Sequence, residues 1–453
     1  MPDTAASAAA SNAVIHLRRE YLIIGDPIVP EQWGEMFPTG GDFLFRRYAA
    51  FQDTISIAKE TAMELYIVGG GRGARGFTAE GRDALLKSGV VLTTNHFPLL
   101  EHEIEEKTRR MSLSEIREYV KKGVGGTLSI LVSGDTGFFS LAKSFEGENC
   151  VFIPSVSSLS ALAASLKTDW QDIKCVSLHG RRGKIAPHVS YNRRVFFLTG
   201  GDVTAKTVID ELCRIGASHL TVTVGQNLGF EDEEIVTGRA EELKHRDFSS
   251  LSVVLVTNEN FVCPMKRLRD GDFDREKVPM TKENVRIAAL NLLDIEKTDT
   301  VWDIGSGTGA MTVCLARRAF EGEVWALEKK QSAYDLTLRN AMKLGSYNIN
   351  AFLGSAPEGL ADFPPPDKVF IGGSGGNLGE IMHVILGKNP RAAVCVTAVT
   401  METISECVSC FKELDFDFET VCLTAAETEE LGNYHLMRGQ NPVFIIKGEK
   451  NEA

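Results

Sequence analysis

The stretch "VWDIGSGTG", Val301 to Gly309, sets a short apolar run before an acid and three glycines at alternate positions. A buried strand that ends in such a turn is the start of an α/β unit. Glycine lets the backbone take left-handed conformations and approach a ligand closely. Three readings fit the glycines alone: a dinucleotide turn of the G-x-G-x-x-A kind, an S-adenosylmethionine turn of the D-x-G-x-G-x-G kind, and a purely structural tight turn. Asp303 weighs for the second. A dinucleotide would lay its pyrophosphate against that carboxylate, and like charges in a confined site repel. S-adenosylmethionine carries a sulfonium and an ammonium instead. Glu328 ends the next apolar run, "VWALE", where a carboxylate can accept hydrogen bonds from both ribose hydroxyls.

Outward from this turn the chain alternates strands and helices. Before it stands the amphipathic helix "TKENVRIAALNLL". After it come helix "AMTVCLARRA", strand "EVWALE", helix "SAYDLTLRNAMKLG" and strands "NAFLG", "KVFIGG" and "AAVCVTAV". "ETVCLTAAE" and "PVFIIKG" read as a closing antiparallel pair. An earlier series from Leu65 has the same alternation without the same sequence. It begins with a second glycine cluster, "LYIVGGGRG" at Leu65 to Gly73, and ends near Phe261. Residues 1–63 are turn-rich with no helical period and form an extension without assigned chemistry. Residues 262–280 are charged and turn-rich and read as a linker. The expected organisation is therefore the extension 1–63, a first α/β domain 64–261, the linker 262–280 and a second α/β domain 281–450.

Composition narrows the function. The chain has 453 residues, 43% hydrophobic and 24% charged, with a formal net charge of −12. That balance argues against a nucleic-acid partner, which needs clustered Lys and Arg. No run is long and apolar enough to span a bilayer. The start, "MPDTAASAAA", lacks the apolar core of a secretory signal. Nine cysteines are scattered, with one CxxC at Cys407 and Cys410 on an amphipathic helix. They read as core thiols in a reducing compartment, and a cytoplasmic location is expected. No second pair stands at zinc spacing, so no metal is expected. After the strand "KVFI", Gly372, Gly373, Gly375 and Gly376 flank Ser374. This loop offers backbone N–H groups and space for a large flat ligand, with no aromatic to stack a flipped base.

Longer motifs carry a family resemblance. "VPMTKENVR", "VWDIGSGTG", "VFIGGSGG", "AVTMET" and "NPVFIIKG" resemble the decarboxylating C15-methyltransferases of cobalamin biosynthesis. "LVSGDTGFFSLAKSF", "IPSVSSLSALAASL", "VSLHGR" and "VGQNLGFEDEEI" resemble the C5-methylating enzymes of the same pathway. Together they resemble the fused precorrin-6Y C5,15-methyltransferases, over about Glu64 to Gly448. The chain departs from the pattern at Arg72, Thr136, Ser155 and Ser355.

The resemblance implies a two-lobed tetrapyrrole methyltransferase domain followed by a Rossmann-like S-adenosylmethionine-dependent domain. In the first, Gly69, Gly71 and Gly73 would shape the tetrapyrrole cleft, and Gly134, Asp135, Ser157 and Ser158 would surround the cofactor. A helix N-cap is the ordinary role for Ser157 and Ser158. His179, Arg181 and Arg182 read either as a solvated basic loop or as a clamp for substrate carboxylates. In the second domain Thr281, Asp303, Gly305, Ser306, Gly307, Thr308, Gly309, Glu328 and Ala356 are the cofactor candidates. Gly373, Ser374 and Gly375 are the substrate candidates. The implied partner is an acidic corrin precursor, methylated at C5 and C15 with loss of the C12 acetate carboxyl. Association into a homo-oligomer is also implied. No catalytic residue is assigned, because methyl transfer from a sulfonium needs positioning more than acid–base chemistry. Two alternatives stand beside this reading. The first domain could be a docking or oligomerisation module, or the substrate could be RNA or protein.

Overall fold

A computed structural model describes residues 64–71, 76–94, 100–123, 126–179 and 183–450. The expectations for residues 1–63, Arg72, Gly73, Arg181 and Arg182 lie outside the described residues.

The apolar runs of the first series become two sheets. Strands β1 (Glu64–Gly69), β2 (Val90–Thr93), β3 (Thr108–Arg110), β4 (Thr127–Val132) and β5 (Cys150–Ile153) form one, in the order β3-β2-β4-β1-β5. All its pairings are parallel. Both faces are covered, as parallel sheets require. Ile67 and Leu92 pack in one apolar cluster, and Val68 and Val91 pack in another. Strands β6 (Ile173–Ser177), β7 (Arg194–Leu198), β8 (Thr221–Gln226), β9 (Glu234–Arg239) and β10 (Ser252–Thr257) form the second sheet, in the order β6-β7-β10-β8-β9. Only β6 and β7 run parallel. Helix α1 (Ser158–Ser165) lies between the lobes and packs Leu159 and Leu162 against Phe196 and Leu255 of the second sheet. Helix α2 (Ala186–Tyr191) precedes β7.

The second series forms a seven-stranded sheet. Its members are β11 (Thr300–Ile304), β12 (Glu323–Glu328), β13 (Ile349–Leu353), β14 (Lys368–Ile371), β15 (Ala393–Ala398), β16 (Asp417–Leu423) and β19 (Val443–Glu449), with order β13-β12-β11-β14-β15-β19-β16. The first five pair in parallel, and β19 joins β15 and β16 antiparallel. The expected closing pair is thus present. Between its strands projects a hairpin, β17 (Ala426–Leu431) and β18 (Tyr434–Gly439), with every residue exposed. Helices α3 (Glu283–Leu293), α4 (Ala310–Arg318) and α5 (Gln331–Lys343) build on the sheet. The strand order reverses beside β11, and α/β sheets hold ligands at the carboxyl ends of strands at such a switch point.

Residues 262–280, expected as a linker, are partly core. Leu268 and Phe273 pack with Ala310 and Val313. Arg286 of α3 is 1% exposed. It bonds Asp270 Oδ1 at 2.8 Å, Leu268 O at 3.0 Å and Thr281 O at 2.6 Å, and lies over the Phe273 ring. These bonds fasten the segment that leads to Pro279–Lys282. Cys407 and Cys410 are buried, and burial pushes the Cys407 thiol up to about 12, which makes it a poor nucleophile.

Candidate active site

The glycine turn follows β11 directly. Gly305, Gly307 and Gly309 all have left-handed φ, of 82°, 58° and 76°. A Cβ on Gly309 would sit 2.7 Å from Thr337 Cα, so only glycine fits between the turn and α5. The backbone of the turn is anchored from the next strand. Gly305 N–H and Ser306 N–H both donate to Leu327 O, at 2.9 and 3.2 Å. Gly307 N–H donates to Glu328 Oε2 at 2.9 Å, and Lys330 N–H donates to Glu328 Oε1 at 2.9 Å. Asn340 Nδ2 donates to Thr308 O at 2.8 Å. Glu328 therefore holds the turn and also faces the space above it.

That space is a cavity of about 710 Å³. Ile304 to Thr308 form its floor, and Leu327 to Lys330 and Gly354 to Ala356 form one side. Val278 to Lys282 cover it, while Gly372 to Gly375, Thr397 and Val399 face the turn. Leu423, Ala425, Gln440 and Asn441 complete the far wall at the root of the β17–β18 hairpin. The volume lies in the range of small-molecule sites. Thr281, Gly305, Ser306, Gly307, Thr308, Glu328, Ala356, Gly373, Ser374 and Gly375 are brought together here. Their donor set suits a nucleoside-like ligand: free space over left-handed glycines and a carboxylate at the end of β12.

Two expected cofactor residues stand behind this surface. Gly309 is the N-cap of α4 and does not line the cavity. Asp303 is fully buried and does not line it either. Strand alternation puts Asp303 on the Val301 face, which α4 covers. Its Oδ2 accepts the Thr312 hydroxyl at 2.5 Å, and its Oδ1 has no partner. Burial raises its pKa to about 7, with the Thr312 bond opposing and Glu328 adding. A carboxyl so placed ties β11 to α4 and does not reach the cavity.

In the first unit the expected loops also converge, but they are tied to one another. Gly71 N–H donates to Gly134 O at 3.0 Å. Asp135 accepts Gly137 N–H at 2.8 Å and Ser155 N–H at 2.9 Å. Ser155 Oγ donates to Gly76 O at 2.7 Å. A Cβ on Gly69 would lie 2.8 Å from Gly134 O, and one on Gly71 would lie 2.4 Å from Ser155 Oγ. Ser157 is the N-cap of α1 and accepts Ser160 N–H at 3.1 Å; Ser158 is the helix's first residue. The His179 ring fills the space beside Gly200 in the second lobe. The sequence reading named Ser155 only as a departure from a family pattern. Its hydroxyl is the residue that joins two loops.

Two family profiles match successive parts of the chain. A family profile described as Tetrapyrrole (Corrin/Porphyrin) Methylases matches residues 64–244, and one described as Precorrin methyltransferase domain matches residues 272–450. A Pyrobaculum calidifontis protein named probable cobalt-precorrin-6B C(15)-methyltransferase (decarboxylating) is 36% identical over 180 residues, which is 39% of this chain and 92% of that protein. The chain belongs to the precorrin methyltransferase family. Along the chain the tetrapyrrole methylase match precedes the precorrin methyltransferase match. A Sinorhizobium protein named precorrin-6Y C(5,15)-methyltransferase [decarboxylating] is 28% identical over 289 residues, 61% of this chain and 70% of that protein. A solved precorrin-6y C5,15-methyltransferase from Geobacter metallireducens is 31% identical, with a TM-score of 0.39, over 41% of this chain and 97% of the solved one.

Proposed function

We propose that the chain methylates a corrin precursor of the precorrin-6B/precorrin-7 type twice: at C5 by the tetrapyrrole methylase unit, and at C15 by the precorrin methyltransferase unit. The second reaction is accompanied by loss of the C12 acetate carboxyl as carbon dioxide. The observation that carries this reading is the cavity over Gly305–Thr308, with Glu328 at its edge, in the half that matches the decarboxylating relatives.

S-adenosylmethionine supplies an electrophilic methyl group when bound. Gly305, Ser306, Gly307 and Thr308 would hold it by backbone, Glu328 by its ribose, and Thr281 and Ala356 from the sides. Gly373, Ser374 and Gly375 leave room for a macrocycle opposite the turn. Backbone N–H groups there can donate to the carboxylates of its acetate and propionate arms. Pro279 to Lys282 would help to exclude water once the ligand is bound. In the decarboxylation the bond between the acetate methylene and its carboxyl breaks, and the electron pair enters the conjugated ring. A proton replaces the carboxyl, so no separate electron sink is required. The protein's contribution is alignment and exclusion of water. Among the described residues no helix is long and apolar enough to cross a membrane. A homo-oligomer and a cytoplasmic location belong to the same proposal.

Incubation with the reduced macrocycle and methyl-labelled S-adenosylmethionine, followed by mass spectrometry, tests it. Two labelled methyls gained and one carbon dioxide lost is the expected outcome. An unlabelled macrocycle of unchanged mass contradicts it.

A further inference from the structure

The two methyltransferase units meet through buried side chains. Tyr347, in the turn between α5 and β13, packs in the apolar core of the first unit's second lobe with Leu220 and Val256. Its N–H donates to Ser190 Oγ at 2.9 Å. Its neighbour Asn348 is 1% exposed. Asn348 Nδ2 donates to Ala316 O and Ala319 O, each at 3.0 Å. Those carbonyls admit only a donor, so Asn348 Oδ1 faces the other way. There it accepts the Tyr191 hydroxyl of α2 at 2.8 Å. Around this buried pair, Lys174 and Lys184 of the first unit bond Glu321 at 2.8 Å and Glu323 at 3.4 Å. Arg317 of α4 donates to Lys266 O and to Leu344 O.

The carbonyl end of α4 is thus fastened to the first unit, and its other end is Gly309 of the turn beneath the cavity. Removing the first unit would strip Asn348 Oδ1 of its donor and expose Tyr347. An unpaired buried acceptor and an uncovered ring both disfavour such a state. We infer that this joint, pinned by Tyr191 and Asn348, makes the second lobe of the tetrapyrrole methylase unit and the precorrin methyltransferase unit one cooperative body. Occupancy of the Gly305–Thr308 cavity therefore stabilises β7 and α2 of the other unit. The inference rests on the proposed function only for the identity of the ligand.

Hydrogen exchange read by mass spectrometry on the full chain tests this. A ligand that binds only the folded state protects whatever unfolds with its site. At about 100 times its Kd it slows exchange through that opening roughly 100-fold. S-adenosylhomocysteine is the probe, and peptides over β11–α4 and over α2–β7 are the reporters. Both are expected to gain the same protection, and Glu328→Ala is expected to reduce both gains equally. If the α2–β7 gain survives Glu328→Ala while the β11–α4 gain is lost, it comes from the first unit's own site and the coupling is overturned. If β11–α4 gains nothing in the unmutated chain, the cofactor reading fails, and a ligand-free arm decides the joint. In that arm a urea series is expected to open both reporters at one midpoint, and Tyr191→Phe is expected to split them. Separate midpoints in the unmutated chain overturn the inference.

Discussion

The two glycine clusters look alike in sequence and differ in what faces them. Above Gly305 the nearest atoms to an imagined Cβ belong to Gly373, 3.3 Å away, so glycine meets glycine and a cavity of about 710 Å³ stays open. Above Gly71 the nearest atoms are Ser155 Oγ and Gly76 O, at 2.4 and 2.5 Å, and the same Ser155 hydroxyl is bonded to Gly76. A glycine turn permits close approach, and the residue opposite decides whether a ligand or another loop makes that approach. In the second unit the opposing loop is glycine-rich. In the first, a serine stitches the loops together.

Substitutions that erase this contrast rank by size. The largest effect is expected from Gly309→Val. It forces a β-branched residue into a left-handed φ and drives its Cβ onto Thr337. Left-handed strain and overpacking together cost about 3 kcal/mol of stability, and the turn that floors the cavity is expected to distort, so calorimetry should show cofactor affinity in the second unit falling while a denaturant series shows the unit destabilised. Next is Glu328→Ala, which leaves Gly307 N–H and Lys330 N–H without their acceptor. A loss of about 2 kcal/mol, or roughly 30-fold, is expected with the fold retained by circular dichroism. Ser155→Ala removes only the Gly76 bond, worth about 1 kcal/mol. It is expected to speed amide exchange near Gly76 and shift the KM of C5 methylation about 5-fold, leaving decarboxylation unchanged.

The smallest effect near neutral pH concerns His188, at the joint between the units. Burial lowers its pKa from 6.5 to about 4, nearby Lys174 adds to this, and Glu321 opposes it. The folded chain keeps the ring neutral while the unfolded chain takes up a proton below pH 6.5. Stability is therefore expected to fall as pH drops from 6.5 toward 4, and denaturant titrations should show His188→Phe removing that slope.

Much of this was legible in the residues. Apolar runs bounded by glycine gave the strands, because buried strands must be apolar on both faces. Glu328 was legible because an acid at a strand end has one place to go. Asp303 was misplaced toward the ligand. Its charge was visible in the sequence, but its side depended on pleat alternation and on α4, which bury it. Residues 262–280 looked like a linker because they are charged and turn-rich. Buried Arg286 pairs with half-buried Asp270, and Leu268 and Phe273 of the same segment pack in the core. The β17–β18 hairpin escaped notice because no residue in it is buried, so it carries no apolar alternation. The joint was invisible for another reason. Tyr191 and Asn348 are 157 positions apart, and neither has a local pattern that names its partner.

The division of labour between the two clusters is the central claim, and the product of the Gly309→Val chain tests it most directly. Supplied with the reduced macrocycle and with labelled S-adenosylmethionine held well below the variant's weakened affinity, that variant should yield a product with one added methyl and every carboxyl intact by mass spectrometry. A product that has still lost carbon dioxide would contradict the assignment of decarboxylation to the Gly305–Thr308 cavity.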